Sequence, residues 1–161
     1  MTAHTGTASH AQTHAPGHHC TVLIVEDEAE LLDVLRVALE SDGYDVAQAG
    51  NGREALMRLR TTPMTCLIIL DLHLPVMDGR RFRTMQLRDR SLAWIPVVVV
   101  SSGLEAAGEA RELGARAFVR KPIDVDELRA VVRRVTCAQA RTRPDQRARG
   151  DAVYHARNRQ W

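Results

Sequence analysis

Five side chains in this sequence have the types and spacing for phosphoryl chemistry: Glu26, Asp27, Asp71, Ser101 and Lys121. Each stands at the end of a short apolar run. Val22 to Val25 leads into Glu26-Asp27, Leu67 to Leu70 into Asp71, Val97 to Val100 into Ser101-Ser102, and Ala117 to Arg120 into Lys121-Pro122. Three carboxylates brought close together repel, and each raises the pKa of the others unless a cation sits among them. An all-oxygen set of that kind suits a hard ion such as Mg²⁺, which takes one or two carboxylates and keeps positions for water or a phosphoryl oxygen. Phosphoryl transfer needs little beyond positioning and charge neutralisation. In this reading Asp71 is the nucleophile, Lys121 neutralises the phosphoryl group, and the Ser101 hydroxyl donates to one of its oxygens. Lys121 is the sole lysine among 22 basic residues. A compact ammonium does work in a tight site that a planar guanidinium cannot take over.

These residues meet only if the apolar runs are parallel strands with their carboxyl ends on one edge. Thr21–Val25, Cys66–Leu70 and Val97–Val100 are apolar at nearly every position, as strands buried on both faces are; Asp45–Ala49 and Ala117–Arg120 are the other strand candidates. Between them lie patterns near helical spacing: Leu31, Leu32, Leu35, Leu39; Ala55, Leu56, Leu59; Phe82, Met85, Leu87; and Val125, Leu128, Val132, Val135. Asp124 followed by Glu127 reads as a capping box for the last helix. Gly103, Gly108 and Gly114 bound or interrupt the segment between the fourth and fifth strands, predicting a weak helix that opens readily before phosphorylation. The order is α/β, (βα)₅, a doubly wound parallel sheet. By analogy with known folds its strand order is the flavodoxin-like 2-1-3-4-5, with ligands at the carboxyl edge.

The 161 residues suffice for one domain. Residues 1–19 are rich in Thr, Ala, Gly and His without apolar periodicity and read as a disordered tail, residues 20–137 as the domain, and 138–161 as a basic, flexible tail. His10, His14, His18 and His19 have no scaffold around them for a metal. The last 21 residues hold six Arg against Asp145 and Asp151, but no helix-turn-helix pattern, so specific DNA binding is not expected. Cys20, Cys66 and Cys137 are far apart in sequence and read as reduced thiols. No apolar run reaches the roughly 20 residues that span a bilayer, so a cytoplasmic protein without membrane contact is expected.

Val25-Glu26-Asp27-Glu28, Leu70-Asp71-Leu72-His73-Leu74-Pro75-Val76-Met77-Asp78-Gly79, Val100-Ser101-Ser102 and Val119-Arg120-Lys121-Pro122 resemble the signature segments of response-regulator receiver domains, in order and over about Cys20 to Thr136. The resemblance implies that Asp71 takes a phosphoryl group from a phosphohistidine on a sensor histidine kinase or phosphotransfer protein. The chain would itself catalyse that transfer and the later dephosphorylation, as a signalling phosphoacceptor rather than an enzyme. It implies Mg²⁺ bound by Asp27, by Glu26 through water, by Asp71 and by the backbone carbonyl of His73. Ser101 and Lys121 would contact the phosphoryl oxygens, Lys121–Pro122 would be cis, and Phe118 would be the aromatic that turns when Ser101 is drawn inward. The face formed by the fourth helix, fifth strand and fifth helix would then bind a downstream protein or relay phosphate.

The chain departs from the family in two places. Ser101 stands where Thr is frequent, leaving its rotamer freer, and Phe118 replaces a common Tyr, so its ring positions differ by packing alone. His73 and Gly103 flank the site and are expected to tune the lifetime of the phosphorylated state. The rival readings are a receiver fragment of a hybrid kinase or multidomain regulator and an Asp-nucleophile phosphatase similar to the haloacid dehalogenase superfamily. The phosphatase wants a second Asp where His73 stands. A regulator acting through DNA would need a further helical domain, which these residues do not contain.

Overall fold

A computed structural model describes residues 20–62 and 64–142. His10, His14, His18 and His19 with the rest of the 1–19 segment, and most of the basic tail, lie outside the described residues. The elements alternate: β1 (Thr21–Val25), α1 (Ala29–Ser41), β2 (Asp45–Ala49), α2 (Gly52–Thr61), β3 (Thr65–Asp71), α3 (Gly79–Arg88), β4 (Val97–Ser101), α4 (Ala106–Glu112), β5 (Ala117–Arg120) and α5 (Val125–Thr142). The five strands form one parallel sheet in the order β2-β1-β3-β4-β5, as expected. Helix α5 continues five residues beyond Cys137.

Successive residues of the central strands point to opposite faces, and each face has its own core. Leu23, Val25, Ile68, Leu70, Val97 and Val99 pack beneath Leu56, Leu59, Phe82 and Ala110 of α2, α3 and α4. Val22, Ile24, Leu67, Ile69, Val98 and Val100 pack beneath Leu35 and Leu39 of α1 and Leu128, Val132 and Val135 of α5. This double burial is why the runs are apolar throughout. Each such side chain, fully removed from water, contributes about 1.5–3 kcal/mol, so β1, β3 and β4 are firm supports for what stands at their ends.

Helix α3 differs from the periodicity expected of it. Phe82 is buried, but Met85 and Leu87 are exposed, and Arg83 and Gln86 face inward instead. Arg83 donates from Nε to the Leu113 carbonyl (3.0 Å), from one terminal nitrogen to the Gly114 carbonyl (3.1 Å), and from the other to Gln86 Oε1 (2.5 Å). Gln86 Nε2 in turn donates to the carbonyls of Leu92 and Ile95. The pair satisfies backbone carbonyls in the turns after α4 and before β4, so a polar face is buried because hydrogen bonds replace the water it loses. That burial pushes the Arg83 guanidinium below its ordinary pKa.

The cysteine expectation is overturned. Cys20 and Cys66 are joined as a disulfide, Cα atoms 5.6 Å apart across 46 residues of sequence, while Cys137 is free and exposed. Sequence distance hid the pairing, because it is the β1–β3 adjacency that brings the two together.

Helix α4 is short, seven residues, with Gly103 (φ +102°) before it, Gly114 (φ +63°) after it and Gly108 exposed within it. Asp124 Oδ1 accepts from the backbone N–H groups of Asp126 and Glu127, the N-cap half of the expected capping box. Among the described residues no helix is long and apolar enough to cross a membrane.

Candidate functional site

The strand order reverses direction between β1 and β3, and the crevice outside their carboxyl ends is where open sheets of this class bind ligands. Glu26 and Asp27 follow β1 directly, and Asp71 is the last residue of β3. The carboxylates of these three each offer an oxygen within 4.8 Å of the others. Glu26 and Asp71 are buried, and Asp27 is exposed at the rim.

Lys121, one residue past β5, reaches across β4 into this cluster. Its Nζ lies 2.6 Å from Asp71 Oδ2 and 2.7 Å from Glu26 Oε2, and the Lys121–Pro122 bond is cis. Burial alone pulls the ammonium down, but its hydrogen bonds to Asp71 and Glu26 outweigh that and hold its pKa above the ordinary value. Burial pushes the Glu26 carboxyl up, and the charge of Asp71 adds to the rise. Hydrogen bonds from Lys121 and from the Glu28 backbone N–H oppose it only in part.

Ser101 ends β4 and is fully buried; its Oγ lies 3.2 Å from Nδ1 of His73. His73 lies largely in solvent, its side chain 69% exposed, yet its backbone N–H donates to Asp71 Oδ1 at 2.9 Å. Its ring is thus tied to the strand 4 hydroxyl and its main chain to the strand 3 carboxylate. Phe118 pairs in register with Val99 and is partly buried against the core under α2, α3 and α4. Glu26, Asp27, Asp71, Ser101 and Lys121 are therefore brought together, with His73 above them and Phe118 one strand away.

Sequence reasoning missed the glycines that shape the loop after β3. Gly79 opens α3 so close to the strand that a Cβ there would lie 2.3 Å from the Asp71 carbonyl oxygen and 2.8 Å from Leu72 Cα. Its N–H donates to the Leu72 carbonyl, and Asp78 caps the helix by accepting from the Arg81 N–H. Gly52 holds the far side of the loop, donating to the Met77 carbonyl. A glycine directly after a capping Asp was the available signal.

The charge count tests whether a metal fits. Three carboxylates against one ammonium leave two negative charges uncompensated, and Asp27 forms no ion pair among the described residues. All-oxygen donors with that residual charge fit a hard divalent cation.

Comparison with known proteins agrees with this geometry. Residues 22–133 match the response regulator receiver domain family. Sporulation initiation phosphotransferase F of Bacillus subtilis is 32% identical over 114 residues, covering 70% of this chain and 90% of that protein. The KDP operon transcriptional regulatory protein KdpE of Escherichia coli is 40% identical over 115 residues; there the match spans about half of the relative's length (49%). Among solved structures, the receiver domain of a signal transduction histidine kinase from Syntrophus aciditrophicus superposes with a TM-score of 0.68 at 32% identity, over 73% of this chain and 90% of that one. The chemotaxis response regulator CheY4 of Vibrio cholerae gives 0.66 at 26%, over 73% and 99%. With the order 2-1-3-4-5, the acidic cluster at its switch point and a match over most of the chain, this protein belongs to the response regulator receiver domain family of two-component signalling.

Proposed function

We propose that the chain is a single-domain phosphorylation switch in which Asp71 accepts a phosphoryl group from the phosphohistidine of a sensor histidine kinase or phosphotransfer protein. The observation that carries this reading is the Lys121 ammonium set between Asp71 and Glu26. An Asp71 oxygen forms the new P–O bond as the P–N bond of the phosphohistidine breaks, and the departing imidazole takes a proton from solvent. Lys121 then turns from the two carboxylates to the phosphoryl oxygens. Glu26, Asp27, Asp71 and the His73 backbone carbonyl would hold Mg²⁺, which when bound supplies positive charge at a phosphoryl oxygen.

The readout rests on competition for one hydroxyl. Ser101 faces the His73 ring, and a phosphoryl oxygen on Asp71 offers its hydroxyl a charged acceptor, a stronger partner than an uncharged one. As Ser101 moves, Phe118 gains room, and the face of α4, β5 and α5 shifts toward a conformation the unphosphorylated chain already samples. The glycine-bounded α4 favours that mobility. The output is a protein partner or a phosphorelay in the cytoplasm, without specific DNA recognition; the phosphotransferase relative, covered over nine-tenths of its length, favours the relay. A second reading, the receiver part of a longer regulator or hybrid kinase, is favoured by relatives such as KdpE, of which this chain spans about half.

The test is incubation with Mg²⁺ and acetyl phosphate, followed by intact-mass measurement. One added phosphoryl group is expected on the wild type and none on Asp71→Ala. An unmodified wild type, or an undiminished adduct on the variant, refutes the proposal.

A further inference from the structure

Cys20 and Cys66 sit at the opposite edge of the sheet from Asp71, outside the chemistry above. Cys20 immediately precedes β1, and Cys66 is the second residue of β3. The β1–β3 ladder pairs Thr21 with Thr65 and then Val22 with Leu67, so Cys66 is the extra residue of a bulge and has no partner of its own in β1. Bulges re-aim a side chain locally, and this one turns Cys66 to Cys20, at a Cα separation of 5.6 Å that lies inside the range a disulfide requires. Both residues keep part of their surface in solvent, so a small thiol or disulfide can reach them. Cys137, on α5, is free.

We propose that Cys20 and Cys66 form a reversible redox site, oxidised by a low-molecular-weight disulfide of the glutathione class and reduced by the corresponding thiol. One cysteine thiolate attacks a sulfur of glutathione disulfide, forming a mixed disulfide and releasing one glutathione. The second cysteine thiolate attacks the protein sulfur of that mixed disulfide, forming the Cys20–Cys66 bond and releasing the second glutathione. Two protein thiols are oxidised, and one glutathione disulfide is reduced to two thiols. The reversibility rests on the cytoplasmic placement proposed above, since disulfides in reducing compartments are characteristically transient and redox-sensing.

The bond joins the two strands that carry all three carboxylates: Glu26 and Asp27 follow β1, and Asp71 ends β3. It closes a loop of 46 residues, which restricts the unfolded chain more than the folded one. The oxidised state is therefore the more heat-resistant form of the domain. The effect does not depend on phosphorylation, so its test is separate from that of Asp71.

The experiment equilibrates the full chain in glutathione buffers from fully reduced to fully oxidised, then blocks free thiols, digests with trypsin without reduction and measures thermal melting in parallel. Trypsin releases Cys20 in residues 1–36, Cys66 in 61–80 and Cys137 in 135–141. The expected result is a linked 1–36/61–80 pair that appears with oxidation and disappears with reduction, while 135–141 is recovered as a blocked thiol in reducing buffer or as its glutathione mixed disulfide in oxidising buffer, and never linked to either peptide. Melting should rise by roughly 5–15 °C on oxidation of the wild type, and show no redox-dependent shift in Cys20→Ser or Cys66→Ser. Each variant is compared with itself in the two buffers, so any loss of stability from the substitution cancels. Absence of the linked pair in oxidising buffer, a pair that excess glutathione fails to reduce in the folded protein, or a redox shift that persists in the variants overturns the proposal.

Discussion

The buried Ser101 hydroxyl and the exposed His73 ring meet at 3.2 Å, with the ring nitrogen 3.9 Å from an oxygen of Asp71. A hydrogen bond of this kind is worth about 0.5–1.5 kcal/mol, which corresponds to about 2- to 13-fold in a population or a rate. Ser101 gives up this bond when Asp71 is phosphorylated, so in the phosphorylated state replacing His73 by Ala acts through the bulky group it removes from the solvent side of the site. His73→Ala should therefore lose its phosphoryl group about 2- to 10-fold faster than wild type. The check is the decay of the phosphorylated mass with time after removal of acetyl phosphate. An unchanged half-life would show that the ring does not shield the site.

Lys121 spans Asp71 and Glu26 with a single nitrogen, 2.6 and 2.7 Å from the two oxygens. A guanidinium is planar and wider, and cannot place one donor centre between two buried carboxylates in the same space. Lys121→Arg keeps the charge yet should lower the rate of adduct formation by about tenfold or more, equivalent to about 1.4 kcal/mol of barrier. Single-turnover phosphorylation by acetyl phosphate measures it. A chain this rich in arginine that tolerated the change would contradict the role given to its sole lysine.

Gly79 is constrained by proximity. A methyl group at this position would meet the Asp71 carbonyl oxygen at 2.3 Å, and backbone has no rotamer with which to move away. Gly79→Ala should cost about 1–3 kcal/mol in urea unfolding, the range for overpacking a tight site. It should also reduce phosphorylation, because relief requires moving the main chain of the acceptor itself.

The carboxyl edge was legible in the sequence because strands buried on both faces are apolar throughout, so their ends are marked by the first polar residue. Asp71, Ser101 and Lys121 stood out for that reason; alternation and length gave the (βα)₅ pattern, and the 2-1-3-4-5 order came by analogy with known folds. Helix α3 was misread where its inward face is polar. Arg83 and Gln86 are buried because they cap carbonyls of Leu113, Gly114, Leu92 and Ile95, partners up to 31 residues away that periodicity cannot register. The Cys20–Cys66 pairing was hidden for a related reason, since it depends on a bulge in a ladder between strands that are not consecutive. The Ser101–His73 contact depends on a loop conformation, which Gly52 and Gly79 fix through backbone hydrogen bonds and Asp71 and Asp78 through side-chain acceptors of backbone N–H groups.

Away from the site, Arg129 of α5 grips Asp42, at the C-terminus of α1, through Nε at 2.9 Å and a second nitrogen in bidentate fashion. These hydrogen bonds hold the Asp42 carboxyl below its ordinary pKa of 3.8, burial opposing them only in part. A carboxyl depressed in the folded state contributes stability that is fully present above its unfolded pKa and is lost as pH falls through the folded value. Asp42→Asn should therefore melt below wild type at pH 6–7, with the difference shrinking below about pH 4. Melts of both proteins from neutral to acidic pH check the sign, and a gap that widened on acidification would refute it.

Val76 is a β-branched residue at φ +65°, in the turn that carries the chain from Asp71 to α3, with its side chain mostly in solvent. In this left-handed region Cβ crowds the following carbonyl oxygen, at a cost of roughly 1–2 kcal/mol for an ordinary L-residue, and branching at Cβ adds to it. Asparagine tolerates the same backbone through local hydrogen bonding, and exposure at 77% means that little packing is lost. Val76→Asn should accordingly stabilise the domain by about 1 kcal/mol, seen as a higher urea midpoint at unchanged slope. The strain lies between Pro75 and Met77, whose carbonyl accepts from Gly52 while the Met77 N–H turns back to the Pro75 carbonyl. Since those bonds hold the loop whichever residue stands at 76, relief of the strain should leave Asp71 in place and the rate of phosphorylation unchanged. A variant that gained stability but lost phosphorylation would mean instead that the strained turn itself sets the geometry of the acceptor.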